Sequence, residues 1–156
     1  CIRDSASPAP MRIVELDVIK GLLDAGVVTI AVGGGGIPVV ANENGDLEGI
    51  AAVIDKDLAS ALLASQIDAD LLLISTAVEQ VALNFGKENE EWVDRFTLSE
   101  VKQDLAEGGH FAEGSMAPKM RAVVQYMEAG GKEALITNPQ NIERAMAGET
   151  GTRIVQ

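Results

Sequence analysis

The chain has 156 residues, with 24 acidic and 12 basic side chains and a net charge of −12. Hydrophobic residues make up 47% and charged residues 23%, which is typical of a folded protein and excludes a disordered one. The negative charge repels a phosphate backbone and no basic run occurs, so we expect no nucleic-acid partner.

Neither a membrane span nor a secretory signal is visible in the sequence. The apolar runs are strand-sized, so we expect no membrane partner. The single cysteine, Cys1, cannot form an internal disulfide, which fits a reducing compartment. We therefore expect a cytoplasmic protein.

The first half of the chain predicts a helix, a buried strand, a hairpin and a second helix. Apolar side chains recur at helical spacing in the first segment, and a β-branched run follows it. An Asn-Gly pair signals the turn of the hairpin, and Asp55 can cap the second helix. The predicted ranges are 12–25, 27–32, 37–41 with 49–54, and 57–66.

The second half predicts strands that alternate with helices. Thr97 and Glu100 have the spacing of a capping box, while Ser115 and Asn138 can each cap a further helix. Double glycines end two of the helices. The predicted strands cover 70–76, 133–137 and 152–155, and the predicted helices cover 98–107, 115–129 and 138–147.

Continuous apolar strands between helices indicate an α/β fold, a three-layer sandwich with a mainly parallel sheet. In such sheets ligands bind beyond the carboxyl ends of the strands. The polar or glycine-rich segments at 33–36, 55–57, 76–79 and 110–119 follow or flank strands. Several of these segments could therefore meet at one edge of the sheet.

Four successive glycines, Gly33, Gly34, Gly35 and Gly36, follow the first predicted strand. Without Cβ atoms, their backbone N–H groups can approach an anion closely. The alternative is a merely flexible loop. No Gly-Lys-Ser/Thr follows, so the segment is not a P-loop, and the residues after it indicate a strand, which argues against a dinucleotide fingerprint.

Two lysines lie beside helix starts, where they could face an anionic ligand. Lys56, next to Asp57, lies at a strand-to-helix junction, and phosphoryl transfer needs positive charge at such a fixed position. Lys119 lies in the first turn of a helix, where the helix dipole favours phosphate and disfavours a cation. The alternative is that both are solvated surface charges.

His110, the only histidine, is interpreted as a loop residue that makes hydrogen bonds, and no His/Cys cluster indicates zinc.

Four segments together resemble carbamate kinase, a member of the amino acid kinase superfamily. The resemblance covers residues 7–156 and implies the carboxyl-terminal, nucleotide-binding lobe of that kinase, with the amino-terminal lobe absent. Residues 1–6 are interpreted as linker or non-native residues. The segments are Val32–Val39, Ala52–Ala59, Leu83–Lys87 and His110–Lys119.

The resemblance implies a reversible reaction in which ADP and carbamoyl phosphate give ATP and carbamate, with Mg²⁺. It also implies ATP generation in arginine deiminase catabolism and a homodimer for the full-length chain. We expect the fragment to be inactive alone. The alternatives are a nucleotide-binding lobe without catalysis, or another phosphotransferase of the amino acid kinase superfamily.

The resemblance also implies a role for individual residues. Lys56, Asp57 and Lys119 would be catalytic, and the four glycines would bind the transferred phosphoryl group or the carbamate. Ala77 departs from the acidic residue that many superfamily members have after the equivalent threonine. The implied nucleotide-binding residues are Asp55, Thr76, Val81, Asn84, Phe111, Ala112, Gly114, Ser115 and Met116.

Overall fold

The structure, a computed structural model, describes residues 5–156. Cys1 and most of the predicted linker 1–6 therefore lie outside the described residues, although Ala6 forms an isolated parallel bridge with Ala52. The chain divides into two compact units, one ending at Leu63 and one formed by Ala64–Gln156.

The first unit contains a helix and a hairpin. Helix α1 (Leu16–Asp24) lies within the predicted range 12–25, and its Ile19 is buried. Strands β1 (Val39–Ala41) and β2 (Leu47–Gly49) pair antiparallel. The predicted hairpin is thus confirmed, but its second strand begins two residues earlier than the sequence indicated.

The turn of this hairpin is organised by Asn42. Its side-chain oxygen accepts hydrogen bonds from the backbone N–H groups of Asn44 and Asp46, each at 2.9 Å. Gly45 adopts a positive φ of 86°, which glycine tolerates without strain. These hydrogen bonds close the turn by Asp46, so the second strand begins at Leu47 and not at the predicted residue 49.

The predicted strand over 27–32 is wrong for this structure. These residues are not part of a strand, and Val28 and Ile30 are 94% and 97% exposed. A strand exists only through hydrogen bonds to a neighbouring strand, and none of the strands in residues 5–156 pairs with this segment. The segment thus has the apolar pattern of a buried strand but no neighbouring strand in residues 5–156 to pair with.

Helix α2 (Lys56–Gln66) begins directly after Asp55, the predicted capping residue. The Asp55 carboxylate accepts hydrogen bonds from the backbone N–H groups of Asp57 at 2.8 Å and Leu58 at 3.0 Å. These bonds satisfy two donors that the first turn of a helix leaves without partners. The predicted capping residue is thus confirmed, and the helix begins one residue before the predicted range 57–66.

The second unit is built on a mainly parallel four-stranded sheet in the order β3-β7-β8-β6. Strands β3 and β7 are parallel, β7 and β8 antiparallel, and β8 and β6 parallel. The fold is α/β, as predicted. The bounds are β3 (Leu72–Ser75), β6 (Arg95–Thr97), β7 (Glu133–Thr137) and β8 (Thr152–Val155).

Helix α4 (Met116–Glu128) covers this sheet through a buried stripe. Met120, Val123 and Met127 are buried at helical spacing, and the helix packs against β3 and β7. Tyr126 is also buried and donates its hydroxyl proton to the carbonyl of Ala69 at 2.5 Å. Helix α3 (Leu98–Glu107) packs against α4.

Two parts of the second unit differ from the prediction. A second hairpin, β4 (Val81–Leu83) with β5 (Glu91–Val93), and strand β6 were not predicted. The predicted helix 138–147 is a 3₁₀ turn, Pro139–Asn141, followed by α5 (Ile142–Met146). No helix in residues 5–156 is long and apolar enough to cross a membrane.

Candidate active site

The predicted phosphate-binding residues of the first unit lie next to one another. Gly33, Gly35 and Gly36 adopt positive φ angles of 45°, 129° and 89°. A Cβ atom on Gly35 would lie 2.0 Å from the carbonyl oxygen of Ile54, so only glycine fits there. The glycine loop therefore packs directly on the backbone that leads into α2.

The start of α2 carries a charged pair beside that loop. The Lys56 ammonium lies 3.4 Å from the Asp57 carboxylate. The Lys56 side chain is 57% exposed, whereas that of Asp57 is 10% exposed. A buried carboxylate thus holds the charged end of a lysine that is still half-exposed, and this arrangement can present positive charge to a phosphate.

The second unit holds the other predicted lysine, at the start of α4. The carbonyl of Ala112 accepts hydrogen bonds from the backbone N–H groups of Ser115, Met116 and Ala117 at 3.0–3.1 Å. Ser115 occupies the N-cap position, but its side chain makes no capping hydrogen bond. Because the Ala112 carbonyl takes these donors, Lys119 is the main source of positive charge at this helix end.

A largely apolar recess of about 100 Å³ opens beside this loop. One wall comprises Ala112, Ser115 and Met116, three of the residues predicted to bind nucleotide. The other wall comprises Val78, Gln80 and Ala82, which lie in the segment 76–84 that the resemblance places at the nucleotide, together with Phe85 and Trp92, which were not predicted to bind it.

A buried threonine, Thr152, anchors the hairpin that forms one wall of the recess. The Thr152 hydroxyl accepts a hydrogen bond from the N–H group of Val81 at 2.8 Å and donates one to the carbonyl of Val93 at 2.5 Å. Thr152 lies on β8, so these two bonds attach both strands of the β4–β5 hairpin to the sheet. The position of the aromatic wall therefore depends on the tertiary structure.

The remaining predicted nucleotide-binding residues of this unit do not line the recess. Phe111 and Val81 are buried, and the Phe111 ring packs edge-to-face on Phe96 at 6.1 Å. The Asn84 N–H group donates to the carbonyl of His110 at 2.9 Å, which ties the hairpin to the loop before α4. Their roles in binding remain predictions, as do those of Thr76, Gly114 and Asp55.

A group of titratable side chains lies where α3 ends. The ligand atoms of Asp104, Glu107 and His110 lie within 4.8 Å of one another. Burial raises the pKa of Asp104, and hydrogen bonds from Gln103 and His110 lower the pKa of Glu107. An imidazole within the donor set is a poor fit to Mg²⁺, which prefers oxygen ligands.

The hairpin formed by β4 and β5, which was not predicted, has a recognisable pattern in the sequence. Val81-Ala82-Leu83 and Glu91-Trp92-Val93 are short β-prone runs on either side of Asn84 and Gly86. Both turn residues adopt positive φ angles, 54° and 76°. This pattern is typical of a hairpin with a longer loop.

Comparison with known proteins identifies the family. The profile of the amino acid kinase family matches residues 2–138. The chain belongs to the amino acid kinase family. Within this family, it is 54% identical over 152 residues to the carbamate kinase-like protein YqeA of Escherichia coli K12. It is 50% identical over 149 residues to a carbamate kinase of Thermoplasma volcanium.

These family members are longer than the chain. The matches cover 97% and 96% of this chain but 48% of each relative, so the chain spans about half the length of the curated relatives it matches. The solved carbamate kinase of Giardia lamblia bound to AMP-PNP has a TM-score of 0.89 and 44% identity, and the match covers 96% of this chain and 46% of that one. The chain therefore has the same fold as about half of that solved carbamate kinase.

Proposed function

We propose that this chain is the nucleotide-binding half of a carbamate kinase, which transfers a phosphoryl group reversibly between ATP and carbamate. The observation that carries the proposal is the 43–50% identity to several carbamate kinases over nearly the whole chain. In one direction, an oxygen of the ADP β-phosphate bonds to the phosphorus of carbamoyl phosphate, and the bond to carbamate breaks. ATP generation in arginine deiminase catabolism is the cellular role that we propose with it.

The proposed roles follow the local geometry of each unit. Lys56, whose ammonium pairs with Asp57, would stabilise charge on the transferred group together with amides of the glycine loop. The N–H groups of Gly33 and Gly35 donate to the carbonyls of Ala31 and Val32 in this structure, so they would have to exchange these hydrogen bonds for a ligand. Lys119 would bind the nucleotide phosphates, and the recess beside Met116 would hold the base. No side chain needs to act as a nucleophile in such a transfer.

Mg²⁺ would enter this site with the nucleotide. Asp104, Glu107 and His110, the one metal-ligand group found among residues 5–156, includes an imidazole and does not suit Mg²⁺. The ion would thus be held mainly by phosphate oxygens, where it neutralises their charge. We assign no protein ligand to it.

Catalysis would also need a second half of the kinase domain. Val28 and Ile30 precede the glycine loop, Ile37 follows it, and all three side chains are highly exposed, which is unusual for large apolar residues. The family members are about twice as long as the chain, so a further half is available to cover this surface. We propose that the isolated chain is inactive and that the complete kinase is a homodimer.

The test combines the chain with the amino-terminal half of a carbamate kinase relative, such as that of Thermoplasma volcanium. ATP formation from ADP, Mg²⁺ and carbamoyl phosphate is measured for each half alone and for the co-expressed pair. We expect ATP only from the pair. ATP from the chain alone would contradict the proposed inactivity, and a folded pair that makes no ATP would contradict the proposed activity.

The second candidate function is that of another amino acid kinase family phosphotransferase, one that phosphorylates an acid other than carbamate. Two relatives, at 54% and 49% identity, are named carbamate kinase-like proteins, so similarity to this group does not by itself define the acceptor. Replacing carbamoyl phosphate by acetyl phosphate in the same assay discriminates the two. Faster ATP formation from another acyl phosphate would favour the second candidate.

A further inference from the structure

The end of α3 holds three metal-ligating side chains that the proposed phosphoryl transfer does not use. Asp104 and Glu107 lie one turn apart in the helix. Gly108 and Gly109 follow with positive φ angles of 72° and 77°, and this turn brings His110 back to the helix end. The ligand atoms of Asp104, Glu107 and His110 consequently lie within 4.8 Å of one another.

Glu107 and His110 have the spacing of two ligands on one metal ion. Oε2 of Glu107 lies 3.3 Å from Nε2 of His110. Two atoms bound tetrahedrally to zinc at about 2.0–2.2 Å are about 3.3–3.6 Å apart. The other Glu107 oxygen, Oε1, accepts a hydrogen bond from the Gln103 amide at 2.8 Å. Such a bond orients a metal-ligating carboxylate and leaves Oε2 for the ion.

The second ring nitrogen of His110 is an independent sign of a missing ligand. Nδ1 is buried and has no hydrogen-bond partner among residues 5–156. A buried polar atom without a protein partner is typical of a place where an ion or a water molecule binds. No acceptor fixes a proton on Nδ1, so either ring nitrogen can provide the lone pair that a metal needs.

The electrostatics of this helix end favour a cation. The last turn, residues 104–107, contains two carboxylates and no basic residue, although the dipole at a helix C-terminus favours positive charge. Burial raises the pKa of Asp104, and the charges of Glu107 and Glu100 add to this effect. A divalent cation would offset both the burial of the Asp104 charge and the repulsion between the carboxylates.

We propose that Asp104, Glu107 and His110 bind one Zn²⁺ ion, with a water molecule completing its coordination. One nitrogen and two oxygen ligands suit zinc, whereas Mg²⁺ and Ca²⁺ prefer oxygen alone. The site is separate from the Mg²⁺ that would enter with the nucleotide, and it does not rest on the proposed function. The ion would link the end of α3 to the loop before α4, where the His110 carbonyl accepts a hydrogen bond from the Asn84 N–H group at 2.9 Å.

The experiment measures metal binding by the 156-residue chain, prepared without a histidine tag. Every protein carries Cys1→Ser, because a thiolate is itself a zinc ligand. ZnCl₂, CoCl₂ and MgCl₂ are titrated into the metal-free chain at neutral pH, with calorimetry and the visible absorption of Co²⁺ as readouts. The ligand variants are His110→Gln, Asp104→Asn and Glu107→Gln. The matched control is Glu128→Gln, which removes an exposed carboxylate that ends α4 as Glu107 ends α3.

We expect one Zn²⁺ ion per chain, bound at least about tenfold more tightly than Mg²⁺ because the site includes an imidazole. Each ligand variant should weaken Zn²⁺ binding by about tenfold or more, and His110→Gln should abolish the Co²⁺ absorption. The control Glu128→Gln should bind Zn²⁺ as the unsubstituted chain does. Zn²⁺ should also raise the urea midpoint of the unsubstituted chain but not that of His110→Gln.

Three results would overturn the proposed site. They are Zn²⁺ binding no tighter than that of Mg²⁺, unchanged Zn²⁺ affinity in His110→Gln, and an equal loss of affinity in Glu128→Gln and Glu107→Gln. Urea denaturation of each metal-free variant checks its fold. Because three separate substitutions test the same ion, a variant that does not fold leaves two others to decide the result.

Discussion

At the scale of single residues, the two candidate lysines differ in their surroundings. Lys56 has a buried carboxylate beside its charged end, whereas Lys119 lies in the first turn of α4, three residues after Met116, which lines the apolar recess. The Asp57 carboxylate stabilises the ammonium of Lys56, and the helix dipole at the start of α4 favours an anion beside Lys119. We therefore expect each lysine to contribute through a bound phosphate.

Replacing either lysine tests this expectation. In the reconstituted pair of halves, Lys56→Ala and Lys119→Ala should each lower turnover by about 10²–10³-fold, because each removes a charge that stabilises the transferred group. Lys102→Ala is the control, since Lys102 pairs with Glu128 at 2.5 Å on the surface of α3. Near-normal turnover in either variant would remove the role assigned to that lysine.

The glycine loop allows a matched pair of substitutions. In Gly35→Ala, the new Cβ would meet the Ile54 carbonyl at 2.0 Å, and the φ of 129° is unfavourable for alanine. Gly34→Ala meets nothing within 4 Å. Gly35→Ala should lower the free energy of unfolding by more than about 1 kcal/mol, measured by urea denaturation, and Gly34→Ala by much less. Equal effects would show that the loop does not pack on Ile54.

At the scale of elements, the start of α3 shows a motif that the sequence predicted completely. The Thr97 N–H group and hydroxyl donate to the Glu100 carboxylate at 2.7 and 2.9 Å, and the Glu100 N–H group donates back to the Thr97 hydroxyl oxygen at 3.3 Å. The two residues satisfy each other's polar groups at a helix end. These hydrogen bonds lower the pKa of Glu100.

The capping box gives a prediction about stability and its pH dependence. Thr97→Ala should cost about 1 kcal/mol of unfolding free energy, and Thr97→Ser should restore most of it. Because the pKa of Glu100 is lower in the folded chain, its contribution is present above the unfolded value of about 4.3 and is lost as pH falls through the folded value. Urea denaturation of wild type and Glu100→Gln across this range measures it. An identical pH dependence in the two would contradict the assignment.

At the scale of the whole molecule, an apolar segment in the first unit lacks a pairing partner. Residues 27–32 are β-prone, carry no charge and include the highly exposed Val28 and Ile30. Segments of this composition pair readily with other strands when they are accessible. The isolated chain should therefore associate with itself, and the same segment should pair with the second half in the complete kinase.

Charged substitutions separate these two consequences. Val28→Lys with Ile30→Lys should reduce the aggregated fraction of the isolated chain, measured by size-exclusion chromatography with light scattering, because charges oppose strand pairing. The same double variant should fail to form an active pair with the amino-terminal half. Met146→Lys, on exposed α5, is the control. Unchanged aggregation together with full activity would contradict the role of the segment.

How much the sequence could predict depended on how local each signal was. Asp55 at the start of α2 and the pair Thr97 and Glu100 at the start of α3 were predicted because a cap is defined within four residues. The strand over 27–32 was wrong because pairing depends on residues far away in the sequence. The second hairpin was missed because its strands are only three residues long.

The sequence by itself determined the α/β class, the family, the capping residues of α2 and α3, and the identity of the lysines and glycines proposed to bind phosphate. Only the tertiary structure showed that Gly35 packs on Ile54 and that Thr152 holds the β4–β5 hairpin against the sheet. It also decided that Trp92 lies beside Met116 at one recess. The physical reason is that caps and turns are local, whereas a recess is formed by side chains from segments that meet only when the sheet assembles.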